Sequence, residues 1–151
     1  MSFSNPPVIL CIDDHLSGLV GRKALLEQCG YRVLSAMGGP EGLSLFRSNS
    51  VTAVIVDYHM PGMSGDIVAA KMKNIRSEVP IMMLSAYVPP RKSKLKGIDQ
   101  FLSKSESPAN FIAAVKVMLQ NRSRPTFGRW LRDWKNRLAH NLVSSRGTST
   151  H

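Results

Sequence analysis

Short apolar runs of strand length alternate with longer segments of helical character along this chain. Five runs are predicted as strands: residues 8–12, 31–36, 52–56, 80–84 and 100–103. They are apolar almost throughout, which is typical of strands buried on both faces of a parallel sheet. Helices must then cover both faces, and right-handed crossovers restrict the topology. The pattern therefore predicts an α/β fold with a doubly wound parallel sheet.

The helical segments between the strands carry start and stop signals. Gly30 is a natural stop for the first, which covers about residues 16–29. The second begins near Gly39, and the third covers about residues 66–76. Ser107 is followed by a proline, so the last helix is predicted to begin there with a hydroxyl cap.

Polar and charged side chains stand where the predicted strands end. The adjacent acids Asp13 and Asp14 follow the first strand, and Asp57 follows the third. Ser85 follows the fourth strand and Lys104 the fifth. Ligands of doubly wound sheets bind outside the carboxyl ends of the strands. We therefore expect these five side chains to meet at one edge of the sheet.

This set of residue types suits phosphoryl transfer. Crowded carboxylates repel one another and need a compensating cation, and Mg²⁺ prefers oxygen ligands. A carboxylate can also attack phosphorus to form an acyl phosphate. The transfer itself needs chiefly positioning and neutralisation of the phosphoryl oxygens. A metal on the acids, the ammonium group of Lys104 and the hydroxyl of Ser85 would supply both.

With these residues at these strand ends, the chain resembles a response-regulator receiver domain of two-component signalling, and is similar to the single-domain chemotaxis receiver. The resemblance spans about residues 7–121 and implies a five-stranded, flavodoxin-like sheet of order 2-1-3-4-5. It implies that Asp57 takes a phosphoryl group from a sensor histidine kinase or phosphotransfer protein, which changes the interaction surface. The chain would then assist its own phosphorylation and dephosphorylation rather than act as an enzyme on a separate substrate.

The resemblance also implies a role for each residue of the set. The implied Mg²⁺ ligands are the carboxylates of Asp14 and Asp57 and the main-chain carbonyl of His59, with Asp13 near the ion or bound to it through a water molecule. Ser85 would bond a phosphoryl oxygen, and Lys104 would pair with its charge. Phe101 matches the switch aromatic of the family, which packs inward when Ser85 moves toward the phosphate. Core packing explains Phe101 about as well.

Two departures from the family pattern stand out. The interval from Ser85 to Lys104 is 19 residues and contains two adjacent prolines, so the helix expected there is predicted to be shortened. Residues 87–104 are one candidate face for an output partner. Gly18 and Gly21 fall inside the first helix, where each costs roughly 1 kcal/mol relative to alanine, so its early part is predicted to be pliable.

The end of the chain differs in charge from the rest. The formal net charge is +10, and residues 120–151 hold 7 of the 20 basic residues but 1 of the 10 acidic ones. We predict a receiver domain over 1–121, a linker over 122–126, a basic amphipathic helix over 127–143 and a disordered tail over 144–151. That helix would pack on the receiver, form a homodimer, or bind a partner groove or an anionic membrane. DNA binding is not expected, because about 30 residues cannot hold a helix-turn-helix domain.

Location and rival functions complete the prediction. No apolar run approaches the roughly 20 residues needed to span a bilayer, and Cys11 and Cys29 lack metal-site spacing, so reduced thiols in the cytoplasm are predicted. One rival is an unphosphorylated scaffold that acts through its basic C-terminal helix, against which the intact acidic set argues. The other is a hydrolase of the haloacid dehalogenase type. That family needs a second aspartate where His59 stands.

Overall fold

The structure, a computed structural model, describes residues 4–86 and 95–121. Strands and helices alternate within these residues. The strands are β1 (Val8–Ile12), β2 (Arg32–Ala36), β3 (Ala53–Asp57), β4 (Ile81–Ser85) and β5 (Gln100–Ser103). The helices are α1 (Leu16–Gln28), α2 (Gly39–Ser48), α3 (Gly65–Ile75) and α4 (Pro108–Gln120).

The five strands form one parallel sheet of order β2-β1-β3-β4-β5. This order confirms the predicted doubly wound, flavodoxin-like sheet. The chain moves outward from β1 to β2, then returns to the other side of β1 to form β3. The strand order therefore reverses between β1 and β3, the place where ligands of such sheets bind.

Each face of the sheet carries its own apolar core, because successive strand side chains point to opposite faces. On one face, strand residues pack with α2 and α3; members include Leu10, Val54, Met83, Phe46 and Met72. On the other, strand residues pack with α1 and α4; members include Ile9, Ile55, Leu84, Leu26 and Val115. Burial on both faces accounts for the nearly continuous apolar runs in the sequence.

The observed strand bounds differ from the predicted ones by one residue at β2, β3 and β4. β4 begins after Pro80, which has no N–H to donate and contributes its carbonyl, an acceptor for the Val54 N–H at 3.0 Å. Because β3 and β4 each end one residue later than predicted, Asp57 and Ser85 are the last residues of their strands rather than the first residues beyond them. Their backbones are therefore held by the sheet.

The helix signals read from the sequence are present in the structure. Ser107 accepts a hydrogen bond from the Asn110 N–H at 3.2 Å, with Pro108 in the first turn of α4. α1 runs unbroken through Gly18 and Gly21. The stop at Gly30 is also observed, with a φ of 86° that suits glycine.

Several predictions lie outside the described residues and stay predictions. The shortened helix between β4 and β5 falls largely on residues 87–94, and the flanking residues 86 and 95–99 are not helical. The linker 122–126, the basic helix 127–143 and the tail 144–151 also lie outside. In the part of the chain that is described, no helix combines the length and apolar character needed to cross a membrane.

Candidate functional site

The carboxyl edge of the sheet collects the buried polar residues of the described chain. Asp13, Asp57 and Ser85 are 0%, 3% and 0% exposed, and no other polar or charged residue in the described ranges is classed as buried. Asp13 directly follows β1, while Asp57 and Ser85 end β3 and β4. The Lys104 N–H donates to the Ser85 carbonyl at 2.8 Å, which fixes the turn after β5 against β4. Burying carboxylates costs free energy unless they are paired, so this edge is a candidate functional site.

Four side chains form an acidic cluster at this edge: Asp13, Asp14, His15 and Asp57. Each offers one ligand atom, and these atoms all lie within 4.8 Å of one another. His15 Nδ1 lies 3.0 Å from Asp14 Oδ1 and 3.3 Å from Asp13 Oδ1, and the His15 side chain is 70% exposed. Asp14 Oδ1 is buried and accepts no hydrogen bond from the described residues, although it lies 3.0 Å from His15 Nδ1.

Two cations reach the same cluster from different elements. Lys104 Nζ lies 3.0 Å from Asp13 Oδ2 and 3.1 Å from Asp57 Oδ1, so it bridges the two buried carboxylates. Arg22, from the second turn of α1, also pairs with Asp13 Oδ2 through Nη2. The other oxygen of Asp13 accepts the His15 backbone N–H at 2.9 Å. Asp13 is therefore neutralised from within the protein.

The two buried carboxyls respond differently to these surroundings. Burial acts to raise the pKa of Asp13, but hydrogen bonds from the His15 amide and Lys104 and the charge of Arg22 hold that pKa below its ordinary value. For Asp57, burial raises the pKa, and the charges of Asp13 and Asp14 add to this effect against the hydrogen bond from Lys104. Asp57 is thus the buried carboxylate that a further cation would stabilise most.

The residues present fit a hard divalent cation such as Mg²⁺. The cluster offers carboxylate oxygens, which Mg²⁺ prefers over the ring nitrogen that His15 adds. Asp14 Oδ1 is a buried oxygen that accepts no hydrogen bond from the described residues, as expected of a ligand atom. Asp57 lies among like charges that a cation would relieve.

The structure brings most of the predicted site residues together. Asp13, Asp14, Asp57 and Lys104 meet in the cluster, and Ser85 is buried at the same edge. Two other predicted site residues are described by different surroundings. His59 is exposed, with its ring edge-on to Tyr58 at 4.6 Å between centroids. Phe101 is 3% exposed, in the core shared with α2 and α3. The roles of both stay predictions.

Sequence reasoning missed His15 and Arg22. His15 directly follows the acidic pair, and its position was a signal that could have been used. Arg22 lies nine residues beyond Asp13, and the available signal was Gly18, one turn earlier on the same helix face. A glycine at that position leaves room for a long side chain to extend toward the end of β1.

Residues 9–116 match the family model described as response regulator receiver domain. Among curated proteins, a probable transcriptional regulator, ycf27 of Cyanophora paradoxa, is 31% identical over 125 residues, which cover 81% of this chain and 52% of that protein. The transcriptional regulatory protein PrrA of Mycobacterium tuberculosis is 31% identical over 119 residues, with 77% and 51% covered. The chain spans about half the length of these curated relatives.

Solved structures show the same similarity. A CheY-like response regulator receiver domain protein from Methanospirillum hungatei JF-1 has a TM-score of 0.75 at 25% identity, covering 78% of this chain and 97% of that one. The response regulator protein TrrA from Thermotoga maritima, in complex with Mg²⁺-BeF, has a TM-score of 0.71 at 30% identity, covering 74% and 98%. Both neighbours are matched over nearly their whole length.

Proposed function

The chain belongs to the response regulator receiver domain family, and we propose that Asp57 is the residue that accepts the phosphoryl group. Receiver domains are phosphoacceptor switches of signalling pathways, and this chain is one. The contact of Lys104 Nζ with Asp57 Oδ1 at 3.1 Å carries the assignment, because it places a cation beside a buried carboxylate at the sheet edge. Transfer from acetyl phosphate to wild type and to Asp57→Asn tests it.

Each residue at the carboxyl edge has a separate proposed role in phosphoryl transfer. A carboxylate oxygen of Asp57 forms a bond to phosphorus as the bond from phosphorus to the donor histidine nitrogen breaks, and the imidazole leaves with the electron pair. Lys104 neutralises the charge of the transferred group, and the Ser85 hydroxyl donates to one of its oxygens. Bound Mg²⁺ would supply further neutralisation of the phosphoryl oxygens. Its proposed ligands are the carboxylates of Asp13, Asp14 and Asp57 and the main-chain carbonyl of His59.

Removal of Asp14 should weaken Mg²⁺ binding. We expect Asp14→Ala to raise the Mg²⁺ dissociation constant by about tenfold or more, because an anionic oxygen ligand is lost. The charge of Asp14 disfavours the ionised form of buried Asp57, and the His15 side chain that pairs with Asp14 is 70% exposed, so the melting temperature without metal should not fall. Titration calorimetry gives the dissociation constant. Asp66→Ala, which removes a carboxylate in the first turn of α3 outside the cluster, is the control. An unchanged affinity for Asp14→Ala would remove Asp14 from the metal site.

The proposed phosphoryl donor is a sensor histidine kinase or a phosphotransfer protein. Large apolar side chains are exposed near the carboxyl edge of the sheet, and those most exposed in the described ranges are Leu16 at 63% and Val20 at 60%. They lie one turn apart on α1, which starts just beyond the acidic pair. An exposed apolar surface beside a reactive carboxylate supports docking of a protein donor there.

Replacement of Leu16 and Val20 should slow transfer from a protein donor without slowing transfer from a small-molecule donor. We expect Leu16→Ser/Val20→Ser to slow transfer from a phosphorylated histidine phosphotransfer protein that labels the wild type, by about tenfold or more. Labelling by acetyl phosphate, which needs no protein surface, should keep its rate. Ile75→Ser is the control, since Ile75 is 40% exposed at the far end of α3. Equal slowing with both donors would place the defect at Asp57 and contradict docking on α1.

The remaining assignments follow from the receiver role. Output through residues 87–104 or through the basic C-terminal helix stays a proposal, as do the homodimer and the contact with an anionic membrane. A cytoplasmic location is proposed from the signalling role and from Cys11 and Cys29, which are free thiols, and cell fractionation would test it. The comparisons give no support to the scaffold alternative. The intact acidic cluster and Lys104 also argue against it.

A further inference from the structure

Arg22 contacts the acidic cluster but takes no part in the phosphoryl transfer proposed above. Its side chain is only 16% exposed and ends on Asp13, whose side chain is 1% exposed. Both Arg22 and Lys104 contact the same oxygen, Asp13 Oδ2. Helical side chains lean toward the helix N-terminus, so Arg22 extends back along α1 toward the end of β1. A guanidinium group therefore lies beside a carboxylate proposed above as an Mg²⁺ ligand.

Gly18 makes this placement possible. A Cβ atom there would lie 2.9 Å from Arg22 Nη2, 3.2 Å from Nη1 and 3.3 Å from Asp13 Oδ2. Gly18 and Arg22 are four residues apart and share a face of α1. The other glycine of this helix, Gly21, has no atom within 4 Å of an added Cβ. The glycine at 18 thus leaves space for the guanidinium group, although it lowers helix propensity.

We propose that Arg22 is a resident cation that competes with Mg²⁺ for Asp13 and so sets the Mg²⁺ concentration at which the site fills. The proposal rests on the proposed function, since it concerns the same metal site. The cluster holds the three carboxylates of Asp13, Asp14 and Asp57 against the two cations of Arg22 and Lys104. One net negative charge remains when all five are ionised. A divalent cation then binds more weakly than it would at three unpaired carboxylates. Either it is repelled by the charge of Arg22, or the ion pair between Arg22 and Asp13 must first break.

Mg²⁺ affinity measured by calorimetry on the full chain tests the proposal. We expect Arg22→Met, which keeps the length of the side chain without its charge, to tighten Mg²⁺ binding by about tenfold. Lys23→Met removes the same charge from the same helix at a side chain that is 49% exposed, and should change the affinity less than twofold. The melting temperature of Arg22→Met without metal should fall, and Mg²⁺ should restore more of it than in wild type.

The two glycines of α1 give a matched pair that keeps every charge. Gly18→Ala should move the guanidinium group from Asp13 and tighten Mg²⁺ binding by about threefold. Gly21→Ala gains the same helix propensity in open space and should leave the affinity unchanged. If Arg22→Met does not fold, the Mg²⁺ affinities of Gly18→Ala and Gly21→Ala are sufficient to test the proposal.

The outcomes separate this proposal from the metal site on which it depends. Unchanged or weaker Mg²⁺ binding in Arg22→Met and Gly18→Ala, with normal binding in wild type, would overturn the role of Arg22 and leave the proposed function in place. Unchanged Mg²⁺ affinity together with slower labelling by acetyl phosphate would assign Arg22 to the phosphoryl group instead. A wild-type chain that binds no Mg²⁺ would overturn the proposed metal site and this inference with it.

Discussion

Acetyl phosphate with Mg²⁺ is expected to add one phosphoryl group to the wild-type chain and none to Asp57→Asn. The amide is not a comparable nucleophile and is not an anionic metal ligand, so both requirements for transfer are lost. Asn is close to Asp in volume. It also removes the charge of the Asp57 carboxyl, whose pKa is raised by burial and by two neighbouring carboxylates. The variant should therefore fold. Intact-mass analysis measures the added group directly.

Two controls make this result specific. Asp66→Asn changes a carboxylate outside the cluster in the same way and should be labelled like wild type. Lys104→Met keeps Asp57 but removes the cation 3.1 Å from its Oδ1, and should slow labelling by about 100-fold rather than abolish it. Full labelling of Asp57→Asn would show that the acceptor is another residue.

Gly65→Ala is expected to destabilise the fold and to disturb the acceptor at the same time. A Cβ atom at Gly65 would lie 2.3 Å from the carbonyl oxygen of Asp57 and 3.0 Å from the Tyr58 Cα. These are backbone atoms that cannot turn aside, so β3 and the start of α3 must separate. We expect the free energy of unfolding to fall by about 2–3 kcal/mol, and the melting temperature by roughly 10 °C. Labelling of Asp57 should also slow, because the shift moves its own backbone.

Gly21→Ala is the matched control for this prediction. An added Cβ there has no atom within 4 Å, so the free energy of unfolding should rise by about 0.5–1 kcal/mol. Thermal melts of both variants, with labelling by acetyl phosphate, distinguish the two cases. A Gly65→Ala chain that is as stable as wild type and labelled at the same rate would contradict the close approach of α3 to Asp57.

The order of the elements and the sheet edge that carries the candidate site could both be predicted from the sequence. Strands buried on both faces require continuous apolar runs, and these are visible in any sequence that contains them. In a parallel sheet, the residue at the end of each such run must lie at the carboxyl edge. That rule alone predicts that Asp13, Asp57, Ser85 and Lys104 lie together.

How the charges at that edge are shared depends on three-dimensional packing and could not be predicted from the sequence. Periodicity gives the face of a helix on which Arg22 lies, but the position of its guanidinium group depends on packing and on space left by other residues. Gly18 illustrates the difference. Its low helix propensity predicts a pliable helix, which stays a prediction. The structure adds that the Arg22 guanidinium group occupies the space that a side chain at position 18 would fill.

The opposite pKa shifts of the two buried carboxyls also arise from three-dimensional packing. Asp13 and Asp57 are the same residue type at equivalent strand ends, yet the pKa of one is lowered and that of the other is raised. The cause is the number of donors and cations within a few ångströms of each, because Coulomb energies depend on distance and burial rather than on sequence order. A linear pattern contains neither quantity, so the sequence predicts where the candidate site lies, and its electrostatics depend on the fold.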